Sequence, residues 1–437
     1  MKLYSTNNPS LRVDFQEAVF NSLPPDNGLY MPVDIKALDS DFLENIEQYS
    51  LQEIAFEVSR SLLQDAIPEE ALHQIIDEAI DFPAPVVKID DQTFVLELFH
   101  GPSLAFKDFG ARFMSRVMAY FLKEEDNMLD VLVATSGDTG GAVAAGFLGV
   151  ENIRLTILYP KGKVSNVQKL QLTTNGENIY AIEVNGTFDD CQALVKSAFL
   201  DPELNQRFRL TSANSINISR LIPQTFYYFN AYAQLKRQGI KDVIFSVPSG
   251  NFGNIAAGLL AFKMGLPVKQ FLAATNINDT VPAFLKTGIY TPKPSVQTYS
   301  NAMDVGNPSN WVRVMELFKN QPDQLPQILK AYSFTDGQTS EAMLKIYNQH
   351  QYVVCPHTAI AWLAIEHWRK GNPKDHSASV FLSTAHACKF PDVLSKEVSK
   401  SLELPEQVRA LRNKVSRFKS LDKDFKGFKS FLLKGYN

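Results

Sequence analysis

The sequence predicts an α/β protein built on mostly parallel sheets with helices on both faces. Three observations point there. Short, near-continuous apolar runs recur between about residues 85 and 390, at 94–99, 131–134, 155–158, 243–247, 271–274 and 380–382. Runs without polar alternation suit strands buried on both faces, as in sheets with helical crossovers. Helical spacing of apolar residues fills the intervals between them, and several runs end directly in polar or Gly-rich loops that open helices. Open α/β sheets bind their ligands at such carboxyl ends.

Composition excludes several classes. The 437 residues carry 45% hydrophobic and 21% charged side chains, within the ordinary globular range. A net charge of -4 leaves no basic footprint for nucleic acid. The 3 cysteines, Cys191, Cys355 and Cys388, are far apart and not in CxxC spacing, so neither a disulfide framework nor a metal site is expected. The N-terminus lacks an apolar signal region, and no uncharged apolar run reaches the ~18 residues of a membrane span. A cytoplasmic protein is expected.

Residues 1–85 read as a helix-rich domain. A turn cluster, SLPPDNG at 22–28, precedes helical patterns at 51–63 and 69–80, each opened by an acidic or capping residue. The tail at 400–437, rich in Lys and Leu, reads as helical and peripheral.

Within the α/β region, Lys107 lies between Phe106 and Phe109, after the run at 94–99 and at the start of an amphipathic pattern. Apolar surroundings disfavour an ammonium and lower its pKa, and a neutral amine is what Schiff-base chemistry with an aldehyde needs. A lysine snorkelling from a half-buried helix start reads the same way.

Four loops at strand ends carry further chemistry. TSGDTGG at 135–141 offers hydroxyls and glycines at a helix N-terminus, suited to a phosphate or carboxylate, or to a plain N-cap. Asp138 within it would repel a phosphate. SGNFGN at 249–254 has no acidic residue and is the better phosphate site; it matches neither the P-loop nor the dinucleotide motif. NSINISR at 214–220 opens a helix expected over 221–234, and its Arg220 suits bidentate recognition of a carboxylate or phosphate. Lys161 and Lys163, after the run at 155–158, add positive charge or are simply exposed loop lysines. STAHACK at 383–389 offers a hydroxyl for a ring nitrogen; a lone His386 suits a structural role, and Cys388 beside Lys389 suggests a lowered thiol pKa.

In this order the segments resemble the threonine synthase family of fold-type-II pyridoxal-phosphate enzymes, in its branch with a long N-terminal domain. The resemblance rests on GLYMP (28–32), HGPSLAFKDFGARF (100–113), TSGDTGGAVA (135–144), SANSINISRL (212–221), VPSGNFGN (247–254), ATNINDTVP (274–282), SNAMDVGNPSNW (300–311) and STAHACKF (383–390). It implies two interleaved, open, twisted domains of the tryptophan-synthase-β type. The large, cofactor-binding one is expected from 85–115 and 205–400, and the small one from 115–205.

The resemblance also implies roles, with pyridoxal 5′-phosphate as the cofactor. Lys107 matches the lysine that carries it as a Schiff base and later moves protons. Gly250, Asn251, Phe252, Gly253 and Asn254 match the loop around its phosphate, and Thr384 the hydroxyl facing its pyridine nitrogen. Ser136, Gly137, Thr139 and Gly140, with Asp138, match the loop closing on the substrate's amino-acid end. Asp138 stands where the commoner family version has Asn contacting the ring hydroxyl. Asn214, Arg220 and Lys163 match groups binding a leaving phosphate. Ala387-Cys388 stands where many relatives have Pro-Ala. The implied reaction converts O-phospho-L-homoserine and water to L-threonine and phosphate, in a monomer or homodimer with no nucleic-acid or membrane partner. The alternatives within the family are a serine or threonine dehydratase and a phospho-lyase acting on the same substrate.

Overall fold

Each apolar run is a strand, with ends within two residues of those expected. The computed structural model describes residues 1–123 and 127–434. The larger sheet has the order Leu329–Ser333, Gln270–Thr275, Val243–Pro248, Ala378–Ser383, Thr93–Glu97 and Val86–Lys88. All its pairs are parallel except the edge hairpin of Val86–Lys88 with Thr93–Glu97. The second sheet, parallel throughout, runs Lys419–Asp422, Ile179–Asn185, Ile153–Pro160, Leu129–Ala134 and Arg209–Ser212. Every residue of Val243–Pro248 and of Leu129–Ala134 is buried, which explains why these strands read as apolar runs and not as alternating ones.

The helix Lys107–Leu122 packs against the helices Asp138–Phe147, Glu69–Ala79 and Ile218–Leu221. A single helix over 221–234 does not form. Pro223 lacks an amide hydrogen, and the chain passes from Ile218–Leu221 through a 3-10 turn, Ile222–Gln224, into Phe226–Lys236.

The first 80 residues hold more than helices. Lys2–Ser5 pairs antiparallel with Arg12–Asp14 and Tyr30–Pro32, strands of 3 or 4 residues, too short to show a period in sequence. The helices at Leu51–Leu63 and Glu69–Ala79 form as expected. A Ser50–Glu53 capping box opens the first, whose Ile54, Ala55, Val58, Leu62 and Leu63 share one continuous core with both sheets.

The C-terminal tail also differs from the helical, peripheral reading. Lys419–Asp422 adds a parallel edge strand beside Ile179–Asn185, and the helix Phe425–Leu433 buries Phe428, Phe431 and Leu432 against the helix Phe188–Leu200. Arg209–Ser212 likewise joins this sheet, carrying it past the 115–205 span. Phe428 has no exposed surface. Phe428→Ala should therefore cost about 3–5 kcal/mol and lower the urea midpoint; an unchanged midpoint would mean the tail is not part of the folded unit.

Candidate active site

Lys107 and Thr384 become neighbours through backbone hydrogen bonds. Leu98 N donates to Ser383 O (3.0 Å) at the end of the parallel ladder, and the segment just before Lys107 then runs antiparallel to the loop after Ala378–Ser383: Phe106 N donates to Thr384 O (2.9 Å) and His386 N to Leu104 O (3.1 Å). Ala105 and Ala385 form the bridge between them. Leu104 adopts a left-handed conformation (φ 58°), a strained state for a branched side chain that these bonds hold in place. Lys107 then opens its helix, half-buried, with its ammonium 5.9 Å from the Phe106 ring centroid. Burial pulls its pKa down to about 8; Asp138 opposes this, while Arg220 and Lys389 reinforce it.

The loop after Leu129–Ala134 is organised by Thr135, whose Oγ1 accepts the Gly137 (3.0 Å) and Gly140 (2.8 Å) amides. Those two donors are therefore committed internally, which weakens the phosphate reading of this loop. Gly137 has φ 139°, and a Cβ there would lie 2.5 Å from the Gln168 carboxamide, so only glycine fits. Gln168 donates to Asp138 Oδ1 (3.0 Å), as does Lys389 (2.8 Å). Burial would raise the Asp138 pKa, but Lys389 and Lys107 outweigh it and hold the carboxyl well below the usual range. Ser136 and Thr139 remain half-buried, and Gly140 is buried.

The loop 249–252 turns from Val243–Pro248 into the helix Gly253–Lys263. Phe252 is left-handed (φ 58°). A Cβ on Gly250 would lie 2.6 Å from Met303 Cα, so this loop packs directly on the 301–303 turn. Asn251 ties two further segments to it, donating to Ser215 Oγ (2.8 Å) and accepting from Ser309 N (2.6 Å). Asn254 Oδ1 accepts both Tyr227 OH and Tyr228 OH (2.7 Å each), which leaves its buried Nδ2 without a partner.

Arg220 is 2% exposed. Its Nη1 donates to Ala213 O (2.6 Å), its Nε has no partner, and burial pulls its pKa down to about 10. Asn214 is half-buried on the same loop, two residues after the strand Arg209–Ser212 ends. Lys163 is exposed on the turn after Ile153–Pro160, and the described hydrogen bonds and ion pairs do not join it to Arg220.

Four residues that the sequence reading did not single out complete the site. Lys389 is fully buried against Asp138. Arg313 is fully buried, donating to Asn310 Oδ1 (2.7 Å), Ile216 O (2.6 Å) and Tyr30 O (3.3 Å), with Nε unpartnered. Asn310 Nδ2, also unpartnered, faces Gly253. His357 Nε2 accepts Ala302 N (3.2 Å), and burial lowers its pKa to about 4, so it is a neutral prop behind the 301–303 turn. Lys389 and Asn310 fall inside motifs already noted; Arg313 and His357 follow them or stand alone, with no periodic signal. Cys388 departs from expectation, since burial raises its thiol to about 11 despite Lys389.

These residues fit pyridoxal phosphate. A desolvated amine suits its aldehyde, and unpartnered buried donors on Asn254, Asn310, Arg220 and Arg313 suit anionic oxygens.

Comparisons with known proteins agree. Residues 82–385 match the family model for a pyridoxal-phosphate dependent enzyme; residues 2–80 match that of the threonine synthase N terminus, and 358–432 that of the threonine synthase C-terminal region. Threonine synthase of Haemophilus influenzae is 43% identical over 434 residues, covering 99% of this chain and 100% of its own length. The crystal structure of threonine synthase from Escherichia coli superposes with a TM-score of 0.91 at 40% identity, covering 99% of this chain and 100% of that one. A PLP-bound threonine synthase from Brucella melitensis gives 0.90 at 32% identity, covering 99% and 98%. Maize serine racemase, at 18% identity and a TM-score of 0.55 over 72% of this chain and 92% of that one, shares the fold alone. Matched end to end in sequence and in structure, the chain belongs to the threonine synthase family of pyridoxal-phosphate-dependent enzymes.

Proposed function

We propose that this chain converts O-phospho-L-homoserine and water to L-threonine and inorganic phosphate, as a pyridoxal-phosphate-dependent carbon–oxygen lyase. The observation that carries this reading is the buried Arg220 guanidinium, whose Nε has no partner and whose burial no carboxylate offsets among the described residues, close enough to Lys107 to depress its pKa. A second anion site apart from the 250–254 loop is what a phosphorylated substrate requires. The three buried, unpaired cysteines suit a reducing compartment, and we place the protein in the cytoplasm.

When bound, pyridoxal phosphate supplies an aldehyde for the substrate amine and an electron sink for charge at the α-carbon. We assign Lys107 Nζ to hold it and, once freed, to take the α-proton as general base. Desolvation keeps that amine available, because a buried ammonium loses hydration that an amine hardly needs. Gly250, Asn251, Phe252, Gly253 and Asn254 are assigned to the cofactor phosphate, and Thr384 Oγ1 to the pyridine nitrogen. Asp138 enters as an ionised acceptor at the ring hydroxyl. Ser136, Gly137, Thr139 and Gly140 are assigned to the substrate's amino-acid end. Arg220 and Asn214 receive the departing phosphate, and Lys163 adds charge at the rim.

Purified protein should absorb visible light, lose that band on borohydride treatment and carry a covalent label on Lys107. Colourless protein after incubation with the cofactor refutes the reading. With O-phosphohomoserine the product should be threonine; 2-oxobutyrate in its place would indicate a phospho-lyase.

The lowered Lys107 pKa sets a pH dependence. With a pKa of about 8, the reactive neutral amine rises about tenfold between about pH 7 and about pH 9 and then saturates. The rate at which cofactor-free protein takes up pyridoxal phosphate should follow that curve. An ordinary lysine would keep gaining well beyond that range, and such a profile would contradict the desolvation argument.

Arg220→Ala should raise KM for O-phosphohomoserine by roughly 10- to 100-fold, the worth of a charge-assisted contact. Cofactor occupancy, read by borohydride labelling, should hold. Parallel loss of both would overturn the division into two phosphate sites.

A further inference from the structure

Lys389 has no exposed surface, a rare condition for lysine unless its charge is paired. Its Nζ lies 2.8 Å from Asp138 Oδ1 and 2.8 Å from the Ser103 carbonyl oxygen. Gln171 Nε2 donates to the same carbonyl (2.9 Å), and Gln168 Nε2 to the same carboxylate oxygen (3.0 Å). These groups come from four separate segments. Asp138 follows a strand of the smaller sheet, Lys389 follows the strand Ala378–Ser383 of the larger, Ser103 leads into Lys107, and the two glutamines lie on the helix Asn166–Thr173. The ion pair therefore crosses the cleft between the two sheets.

We propose that Lys389 is a positioning residue that latches the 136–140 loop, here the last loop residues and the first turn of the helix Asp138–Phe147, across the cleft, through its ion pair with Asp138 and its bond to the Ser103 carbonyl. The latch fixes the loop that grips the substrate's amino-acid end, and this rests on the loop's assignment in the preceding section. The physical ground is the cost of separation. Moving the loop away strips a buried ammonium and a buried carboxylate of each other, and one charge left alone inside protein is far worse than the intact pair. The loop is therefore held shut against the segment that carries Lys107, and Asp138 is kept ionised and aimed by the same contact.

A double-mutant cycle over Lys389→Met and Asp138→Asn tests this on the full chain, with and without cofactor. Lys389→Met strips Asp138 of its contacting cation, leaving Gln168 and the more distant Lys107, and Asp138→Asn strips buried Lys389 of its carboxylate; the double change removes both charges. Each single variant should lose at least about tenfold in kcat/KM per labelled Lys107, mostly through KM, and the double variant should recover at least about tenfold over the weaker single. Melting temperature of the cofactor-free protein should show the same non-additivity, which remains readable if the substrate assignment is wrong. Additive losses in both readouts overturn the latch. Non-additive melting with unchanged KM in the singles also overturns it, because the pair would then be merely structural. If Lys389→Met does not fold, Lys389→Gln completes the same cycle. Absence of any threonine from wild-type protein would count against the proposed reaction, leaving the melting cycle to judge the latch.

Discussion

Three cations share one site: Arg220 and Lys389 are buried in it and Lys107 is half-buried, and Asp138 is the carboxylate that draws on two of them. Ionised groups in such surroundings lose hydration worth several kcal/mol each, so they persist only where partners replace it. Lys389 and Asp138 satisfy one another. Lys107 responds by giving up its proton more easily, and Arg220 keeps a free Nε. The cleft is thus left with an amine suited to an aldehyde and a guanidinium suited to an anion. Chemistry on a phosphorylated amino acid follows from that imbalance more than from any single motif.

The fold makes the imbalance possible by bringing loop ends together from two parallel sheets. In each sheet the functional segments leave the carboxyl ends of strands, where helices begin and backbone donors point outward. The N-terminal region supports this arrangement from behind. Asn217 Nδ2 bonds Val19 O (2.8 Å) and Ser22 Oγ (2.9 Å), and Arg313 reaches Tyr30 O, so the 214–220 loop is braced by the first 30 residues. Local strain at Leu104 and Phe252 is held by hydrogen bonding and packing around both loops.

Much of the site was legible in the sequence because its loops are short, contiguous and rich in residues with distinctive chemistry. Lys107, the 135–140 loop, the 249–254 loop and Arg220 all announce themselves by residue type beside an apolar run. Lys389 and Arg313 did not. A lysine or arginine reads as a surface residue until tertiary packing removes its water, and nothing local in HACKF or in the helix Trp311–Phe318 reports that packing. Lys163 is the opposite case: it stays exposed on its turn, and its position after a strand does not say which way that turn carries it.

The sequence by itself determined the six strands that read as apolar runs, the helices Leu51–Leu63 and Glu69–Ala79, and the loops that carry chemistry. Those depend on local hydrophobic pattern, capping and glycine, which are readable within about ten residues. Only the tertiary structure decided which charges meet. Asp138 and Lys389 are 251 positions apart by number, and their pairing depends on how the loops after Leu129–Ala134 and Ala378–Ser383 of two different sheets are brought together. It also decided that the tail closes a sheet edge, since an exposed four-residue strand such as Lys419–Asp422 has no pattern of its own and forms only where Ile179–Asn185 offers unpaired backbone.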